Sequence, residues 1–136
     1  MQPNHRLILC VDDDPDDHMF VCEVIQEADK SFNVIGARNG EEALQVLKTR
    51  KEAGELPCLV ILDINMPRMD GKQTLVEIKK DPDLKNVPVV MLSTSNSPVD
   101  KVFCDHYGVS LYTKPDNVAG FNPILKNLLS HCNNKD

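Results

Sequence analysis

Short runs of aliphatic and β-branched residues alternate along the chain with longer segments in which apolar residues recur every three or four positions. The apolar runs occupy 6–11, 32–36, 58–62, 87–92 and 109–113. Because strands that alternate with helices pair in parallel through crossover connections, this order predicts an α/β fold. Near-continuous apolarity in the central runs indicates strands that are covered on both faces. We therefore expect helices on both sides of one parallel sheet.

Capping residues indicate where the intervening helices begin and end. Asp14 is a candidate N-cap with Pro15 at the first helical position. Asn39 and Glu42 have the spacing of a capping box, in which the Glu42 side chain reaches back to the Asn39 amide. A fourth helix is expected over about 98–106. The last helix carries an apolar stripe that predicts docking on the sheet: Phe121, Ile124, Leu125, Leu128 and Leu129.

The length and charge of the chain limit what it can do. A chain of 136 residues suits one compact domain and is too short for two ordinary ones. We expect a single domain over 1–136, with a core of about 6–130 and short flexible tails. The 21 acidic residues outnumber the 15 basic ones, whereas a protein that binds the phosphate backbone needs a basic stripe. We expect no direct binding of nucleic acid, and no apolar run is long enough to span a bilayer.

The five cysteines are odd in number and include no Cys-x-x-Cys pair. They are interpreted as small buried apolar side chains or free surface thiols. This use of cysteine favours the reducing cytoplasm. The residues concerned are Cys10, Cys22, Cys58, Cys104 and Cys132.

Acidic residues and one lysine follow three of the predicted strands. Asp12 and Asp13 follow the first strand, Asp63 the third and Lys114 the fifth. In an open parallel sheet, sites form outside the carboxyl ends of the strands, so these residues are predicted to share one crevice. Two like charges about 4 Å apart repel by roughly 4 kcal/mol at an effective dielectric near 20, so the crowded acids need protonation or a cation, and a divalent metal is the better solution. Oxygen ligands of this kind suit Mg²⁺.

The same crevice holds the groups that phosphoryl transfer requires. The reaction needs an in-line nucleophile and positive charge around the phosphoryl oxygens. Asp63 is the candidate nucleophile, and Mg²⁺ with Lys114 would supply the positive charge. Ser93 and Thr94 stand where a hydroxyl at the end of the fourth strand can bond a phosphoryl oxygen.

Four motifs at these residues resemble those of the receiver domain of two-component response regulators, in the family's order and approximate spacing. They are VDDD (11–14), LDINMPRMDG (62–71), PVVMLSTS (88–95) and YTKP (112–115), and the resemblance runs from about Arg6 to about Leu129. It implies a flavodoxin-like, doubly wound, five-stranded parallel sheet of order 2-1-3-4-5 with five helices. It also implies one receiver domain over 1–136 with no output domain.

The resemblance assigns roles to individual residues, as follows. Asp63 is the phosphoacceptor, and Mg²⁺ or Mn²⁺ is held by Asp12, Asp13, Asp63 and the main-chain carbonyl of Asn65. The phosphoryl group is bound, or the switch is made, by Lys114, Ser93 and Thr94, of which Ser93 is the match to the switch hydroxyl. Tyr112 is the candidate switch aromatic, and the peptide bond before Pro115 is cis.

Two positions depart from the family's pattern. The switch aromatic usually stands three residues before the lysine, where this chain has Leu111, whereas Tyr112 stands two before it. Because side chains alternate along a strand, Tyr112 would point to the other face of the sheet. Thr94 replaces a smaller residue of many relatives and would narrow access to the phosphoryl group.

Within the family, the segment 78–95 looks most like the stand-alone receivers paired with bacterial phytochromes and hybrid kinases. The resemblance implies a cytoplasmic signalling receiver, not an enzyme, that assists its own phosphorylation and dephosphorylation in a phosphorelay. Its partner would be a sensor histidine kinase, of the bacteriophytochrome or hybrid type. A homodimer would form through the face of the fourth helix, fifth strand and fifth helix, and neither nucleic acid nor membrane is an expected partner.

Three alternatives remain beside this interpretation. Asp12 and Asp14 after an apolar strand resemble the nucleophile motif of haloacid dehalogenase-type phosphatases, but Asp16 stands where Thr or Val belongs. The acidic run also matches ligand positions of an EF-hand, although Asp17 replaces the required Gly and Pro15 stiffens the loop. The third alternative is a receiver-like interaction module that acts without phosphorylation. Such modules typically lose the acids or the lysine that this chain keeps.

Overall fold

Five strands alternate with five helices in the described part of the computed structural model, which comprises residues 4–66, 69–94, 97–114 and 118–133. The strands are β1 (Asn4–Val11), β2 (Asn33–Ala37), β3 (Pro57–Asp63), β4 (Val89–Ser93) and β5 (Ser110–Thr113). The helices are α1 (Pro15–Ala28), α2 (Gly40–Ala53), α3 (Gly71–Lys80), α4 (Pro98–Tyr107) and α5 (Val118–Asn133). The alternation predicted from the apolar pattern is confirmed.

The strands form one parallel sheet in the order β2-β1-β3-β4-β5, which confirms the predicted fold. All seven residues of β3 are buried, as a central strand between two helical layers requires. One apolar core lies on the side of α2, α3 and α4 and includes Leu47, Leu75 and Ile78. The other lies on the side of α1 and α5 and includes Ile25 and Leu128. Helices therefore cover both faces, as the sequence predicts.

The apolar stripe of α5 is confirmed where its side chains are described. Leu128 is buried, and Ile124 and Leu129 pack against the core on the α1 side of the sheet. The side chains of Phe121 and Leu125 lie outside the described part of the structure. No helix in the described ranges has both the length and the apolar character needed to cross a membrane.

Capping confirms most of the predicted helix boundaries and corrects one detail. The Asp14 side chain accepts hydrogen bonds from the amides of the first turn of α1, and Pro15 is the first helical residue. The Asn39 side chain accepts from the Glu42 amide, but the Glu42 carboxylate accepts from the amide of Arg38 and not from that of Asn39. The predicted capping box is therefore half formed, because the chain before α2 presents the Arg38 amide to the carboxylate.

Cys58 and Cys132 form a disulfide bond, which corrects the interpretation of the cysteines as unpaired, either small buried apolar side chains or free surface thiols. Cys58 lies in β3 and Cys132 in the last turn of α5, and the packing of α5 across the sheet brings their Cα atoms to 5.0 Å. Cys10, Cys22 and Cys104 are free. Cys132 is buried, and the backbone of α5 continues to residue 133, while β1 already begins at residue 4.

We expect the disulfide to stabilise the fold, because it closes a long loop in the unfolded chain. The two cysteines are 74 residues apart, and disulfide bonds typically stabilise a fold by about 2 to 4 kcal/mol. A Cys58→Ala/Cys132→Ala variant should lose that amount in urea unfolding, and reductant should destabilise the wild type but not the variant. Cys22→Ala, which removes a free thiol, is the matched control. A wild-type transition that does not respond to reductant would contradict the expectation.

Candidate functional site

Three carboxylates meet where β1 and β3 end. The two strands are neighbours, and Val11 of β1 pairs with Leu62 of β3, so the residues that follow them emerge side by side. Ligand oxygens of Asp12, Asp13 and Asp63 lie within 4.8 Å of one another. Asp12 and Asp63 are buried, whereas Asp13 is exposed. The structure therefore brings together the three acids that the sequence predicts at one crevice.

Backbone hydrogen bonds fix the acidic pair after β1. The amide of Asp12 donates to the carbonyl oxygen of Ala37 at 3.0 Å, which extends the pairing of β1 with β2 by one residue. The Asp12 carboxylate accepts from the amide of Asp14 at 3.0 Å. One Asp12 oxygen is thus occupied by the turn into α1, and its other oxygen faces the crevice.

The loop after Asp63 is held close to the start of α3. The amide of Ile64 donates to Leu92 O at 3.0 Å, and the amide of Gly71 donates to Ile64 O at 2.9 Å. A Cβ atom at Gly71 would overlap the carbonyl oxygen of Asp63, so this approach requires glycine. Asn65 lies on the exposed part of the same loop, two residues after Asp63. Its position fits the predicted role of its main-chain carbonyl in holding a metal.

Lys114 reaches into the crevice from the end of β5. Its amide donates to the carbonyl oxygen of Ser93 at 2.8 Å, which anchors the lysine backbone beside β4. Its Nζ lies 2.9 Å from an oxygen of Asp12, 3.0 Å from one of Asp17 and 3.4 Å from one of Asp63. One ammonium group therefore contacts three carboxylates.

Burial and charge shift the ionisation of this group of residues. Burial raises the pKa of Asp63 to about 6; the Lys114 charge opposes the increase, and the Asp12 charge adds to it. For Lys114, burial alone would lower the pKa, but hydrogen bonds to Asp12 and Asp17 and the charge of Asp63 raise it above the ordinary value. Lys114 is therefore charged at neutral pH, and the ionised form of Asp63 depends on its cationic neighbours.

The two candidate hydroxyls differ in exposure. Ser93 ends β4, pairs in register with Thr113 and is fully buried. Thr94 follows it and is exposed. Both stand at the carboxyl end of a strand next to β3, as the sequence predicts. The exposed position of Thr94 fits a residue at the entrance of the crevice.

Tyr112 lies on the face of the sheet that α1 and α5 cover, where it packs against the apolar core of that side. Leu111 packs on the opposite face, against the core under α4. Because Met91 also faces that α4 side, alternation along β4 places Ser93 on the face opposite to Tyr112. This placement does not support a switch in which the Tyr112 ring follows the Ser93 hydroxyl. Pro115, with its predicted cis peptide bond, lies outside the described residues.

Asp17 is a site residue to which the sequence analysis gave no role in the crevice. It lies in the first turn of α1, and its carboxylate joins Lys114. The cap residue Asp14 orients this turn, because its side chain accepts from the amides of Asp16 and Asp17. The acidic run that continues into a helix starting at the crevice is the sequence feature that could have indicated this contact.

The donor set fits a hard divalent cation. All three clustered acids offer carboxylate oxygens, which Mg²⁺ and Mn²⁺ prefer. Asp12, Asp17 and Asp63 contact the Lys114 ammonium group, and Asp13 clusters with two of them, so four negative charges and one positive charge leave a net charge of −3 when all are ionised. Additional positive charge at this position would relieve their mutual repulsion.

Comparison with known proteins agrees with this geometry. Residues 8–117 match the response regulator receiver domain family. The response regulator Rcp1 of Synechocystis sp. is 36% identical over 128 residues, which are 92% of this chain and 87% of Rcp1. Several longer curated relatives are covered only in part, because this chain spans between 8% and 61% of their length.

Solved structures show the same fold. The phosphorylated cyanobacterial phytochrome response regulator RcpA superposes with a TM-score of 0.83 at 32% identity, covering 96% of this chain and 95% of RcpA. The Mn²⁺-bound form of Rcp1 superposes with a TM-score of 0.71 at 31% identity, covering 92% of each chain. With its strand order, its acidic crevice and its sequence match over residues 8–117, this chain belongs to the response regulator receiver domain family.

Proposed function

We propose that the protein is a phosphoacceptor in a two-component phosphorelay, in which Asp63 receives a phosphoryl group from a phosphohistidine of a histidine kinase. The observation that carries the proposal is the meeting of Asp63 with Asp12, Asp13 and Lys114 at the ends of three strands. A buried acid with a pKa near 6 in contact with an ammonium group is a carboxylate at neutral pH, which is the form that a nucleophile requires.

The transfer uses the residues of the crevice directly. A carboxylate oxygen of Asp63 attacks phosphorus in line, an O–P bond forms, and the P–N bond to the donor imidazole breaks, leaving the histidine with the bonding electron pair. The Lys114 ammonium lies 3.4 Å from Asp63, close enough to donate to an oxygen of a phosphoryl group placed there. Hydrolysis by water at the same position would return Asp63 to its carboxylate, so the chain assists both reactions without being a stand-alone enzyme.

Asp12, Asp13, Asp63 and the main-chain carbonyl of Asn65 are the proposed ligands of Mg²⁺, or of Mn²⁺ in its place. When bound, the cation supplies positive charge to the phosphoryl oxygens as the bond to the donor loosens. Asp12 and Asp63 are fixed by the ends of β1 and β3, and Asp13 faces solvent, from which the ion would enter.

A partner would recognise the phosphorylated state at the surface beside β4 and β5. Ser93 would donate its hydroxyl to a phosphoryl oxygen, and this bond would bias the arrangement of the segment between β4 and α4. Val99 and Val102 are 69% and 68% exposed on α4, so apolar surface is available there for a partner. A homodimer through α4, β5 and α5 is one use of this face.

The cyanobacterial phytochrome response regulator RcpA, which is among the similar structures, favours a histidine kinase of the phytochrome or hybrid type as phosphoryl donor. The acidic balance of the chain, with a net charge of −6, favours a protein partner over nucleic acid. A cytoplasmic location is proposed with this relay. The Cys58–Cys132 disulfide is unusual for that compartment, because glutathione keeps most cytoplasmic thiols reduced.

Phosphorylation of Asp63 is tested by incubating the protein with Mg²⁺ and acetyl phosphate and measuring the intact mass. We expect one added phosphoryl group, which hydroxylamine removes because acyl phosphates react with it. Asp63→Asn should not be labelled, whereas Asp70→Asn, which changes an acid at the N-cap of α3, should be labelled normally. Equal labelling of Asp63→Asn would refute the acceptor. Absence of labelling in the wild type would favour an interaction module that acts without phosphorylation.

Magnesium binding should weaken as the pH falls through 6. Burial holds the pKa of metal-free Asp63 at about 6, above that of an unfolded aspartate, so a proton competes with the metal below that pH. At pH 5 calorimetry should give an affinity about tenfold lower than at pH 7.5. The same shift means that ionised Asp63 destabilises the metal-free fold above pH 6, and that protonation between pH 6 and 4 relieves this cost. An affinity that is independent of pH over this range would contradict the assignment.

Lys114→Ala removes the ammonium group from the crevice. Removal of one donor from a site that stabilises developing negative charge typically costs a factor of about 10² to 10³. Because the proposed Mg²⁺ would still supply positive charge, we expect labelling by acetyl phosphate to slow by a smaller factor, roughly 10 to 100-fold. Lys101→Ala is the matched control, because Lys101 pairs with Asp105 on the exposed side of α4, outside the crevice. A labelling rate like that of the wild type would argue against a role of Lys114 in the transfer.

A further inference from the structure

The Lys114 ammonium group touches one acid that is outside the proposed metal site. Its Nζ lies 3.0 Å from a carboxylate oxygen of Asp17, as close as its contact of 2.9 Å with Asp12 and closer than that of 3.4 Å with Asp63. Asp17 belongs to α1, and its side chain is 46% exposed, whereas the Lys114 side chain is only 13% exposed. Asp17 therefore reaches the ammonium group from the solvent side of the crevice.

A divalent cation and the ammonium group would draw on the same carboxylates. Asp12 and Asp63 contact Lys114 in this structure and are also two of the three acids whose oxygens cluster within 4.8 Å. A cation placed between these acids repels Lys114 and takes up oxygens that the ammonium group contacts. Because Asp17 is outside the proposed metal site, Lys114 can keep its contact with Asp17 when the cation takes up oxygens of Asp12 and Asp63.

The start of α1 holds Asp17 in place for this contact. Asp14 caps the helix and accepts hydrogen bonds from the amides of Asp16 and Asp17, so the first turn is fixed relative to the end of β1. Lys114 is fixed in turn by the bond between its amide and Ser93 O. The ion pair therefore joins two anchored elements, α1 and the end of β5.

We propose that Asp17 is a positioning residue for Lys114, which it retains at the α1 side of the crevice when a divalent cation occupies Asp12, Asp13 and Asp63. The inference rests on the proposed function, since it assumes that Mg²⁺ binds these acids. Asp17 thereby allows the divalent cation and the Lys114 ammonium group to lie next to Asp63 at the same time. Without it, Lys114 is left with the carboxylates that the metal needs and competes with the metal for them.

The consequence is measurable with Mg²⁺ alone, without any phosphoryl donor. Asp17→Asn should weaken Mg²⁺ binding at pH 7.5 by at least fivefold more than Asp16→Asn does. Asp16 is the matched control because it is an exposed acid in the same first turn of α1, so both variants lose the same unit charge near the same helix terminus. Asp17→Glu, which keeps the carboxylate, should restore most of the affinity.

A double-mutant cycle separates positioning from bulk charge. Calorimetric titrations with Mg²⁺ are repeated for both asparagine variants in a Lys114→Ala background. If Asp17 acts through Lys114, the difference between Asp17→Asn and Asp16→Asn should shrink to within about twofold in that background. A difference that persists there, or equal losses for the two variants when Lys114 is present, would overturn the inference and leave the proposed function intact. A wild-type protein that binds no Mg²⁺ would overturn both.

Discussion

The mutual repulsion of carboxylates at one edge of the sheet is the constraint on which the site depends. Asp12 and Asp63 are buried, and their oxygens cluster with those of Asp13 within 4.8 Å. Such an arrangement is stable only if positive charge is supplied, and Lys114 supplies it in this structure through three carboxylate contacts. The excess negative charge that Lys114 leaves uncompensated is the basis of the divalent-cation site proposed above.

The topology of the sheet makes this crowding unavoidable. The order β2-β1-β3-β4-β5 places β1 beside β3, and the pairing of Val11 with Leu62 brings the residues that follow these strands together. The two apolar cores, one on each face, hold the strands in this register. Gly71 then allows α3 to begin against the carbonyl oxygen of Asp63, which keeps the end of the intervening loop close to β3. Apolar packing thus provides the free energy that holds like charges together.

The sequence was sufficient for the parallel α/β fold and for the shared edge of the acids, which follow from periodicity, whereas the strand order 2-1-3-4-5 was implied by the resemblance to the receiver family. Near-continuous apolar runs predict buried parallel strands, and residues at the carboxyl ends of such strands must converge. The Cys58–Cys132 bond was missed because its partners are 74 residues apart and no spacing rule connects them. Asp17 was missed because its role depends on how the first turn of α1 faces Lys114, which is a matter of tertiary geometry. The position of Tyr112 followed from strand alternation, and its side of the sheet agrees with that argument.

The coupling between Lys114 and the acceptor is tested most directly by the ionisation of Asp63 itself. Carbon-13 NMR of the aspartate side-chain carboxyls, recorded against pH without metal, would follow Asp63 in the wild type and in Lys114→Ala. Because the Lys114 charge lowers a pKa that burial has raised to about 6, the account predicts that Asp63 titrates at a clearly higher pH in the variant. An Asp63 titration that is the same in both proteins would contradict the account.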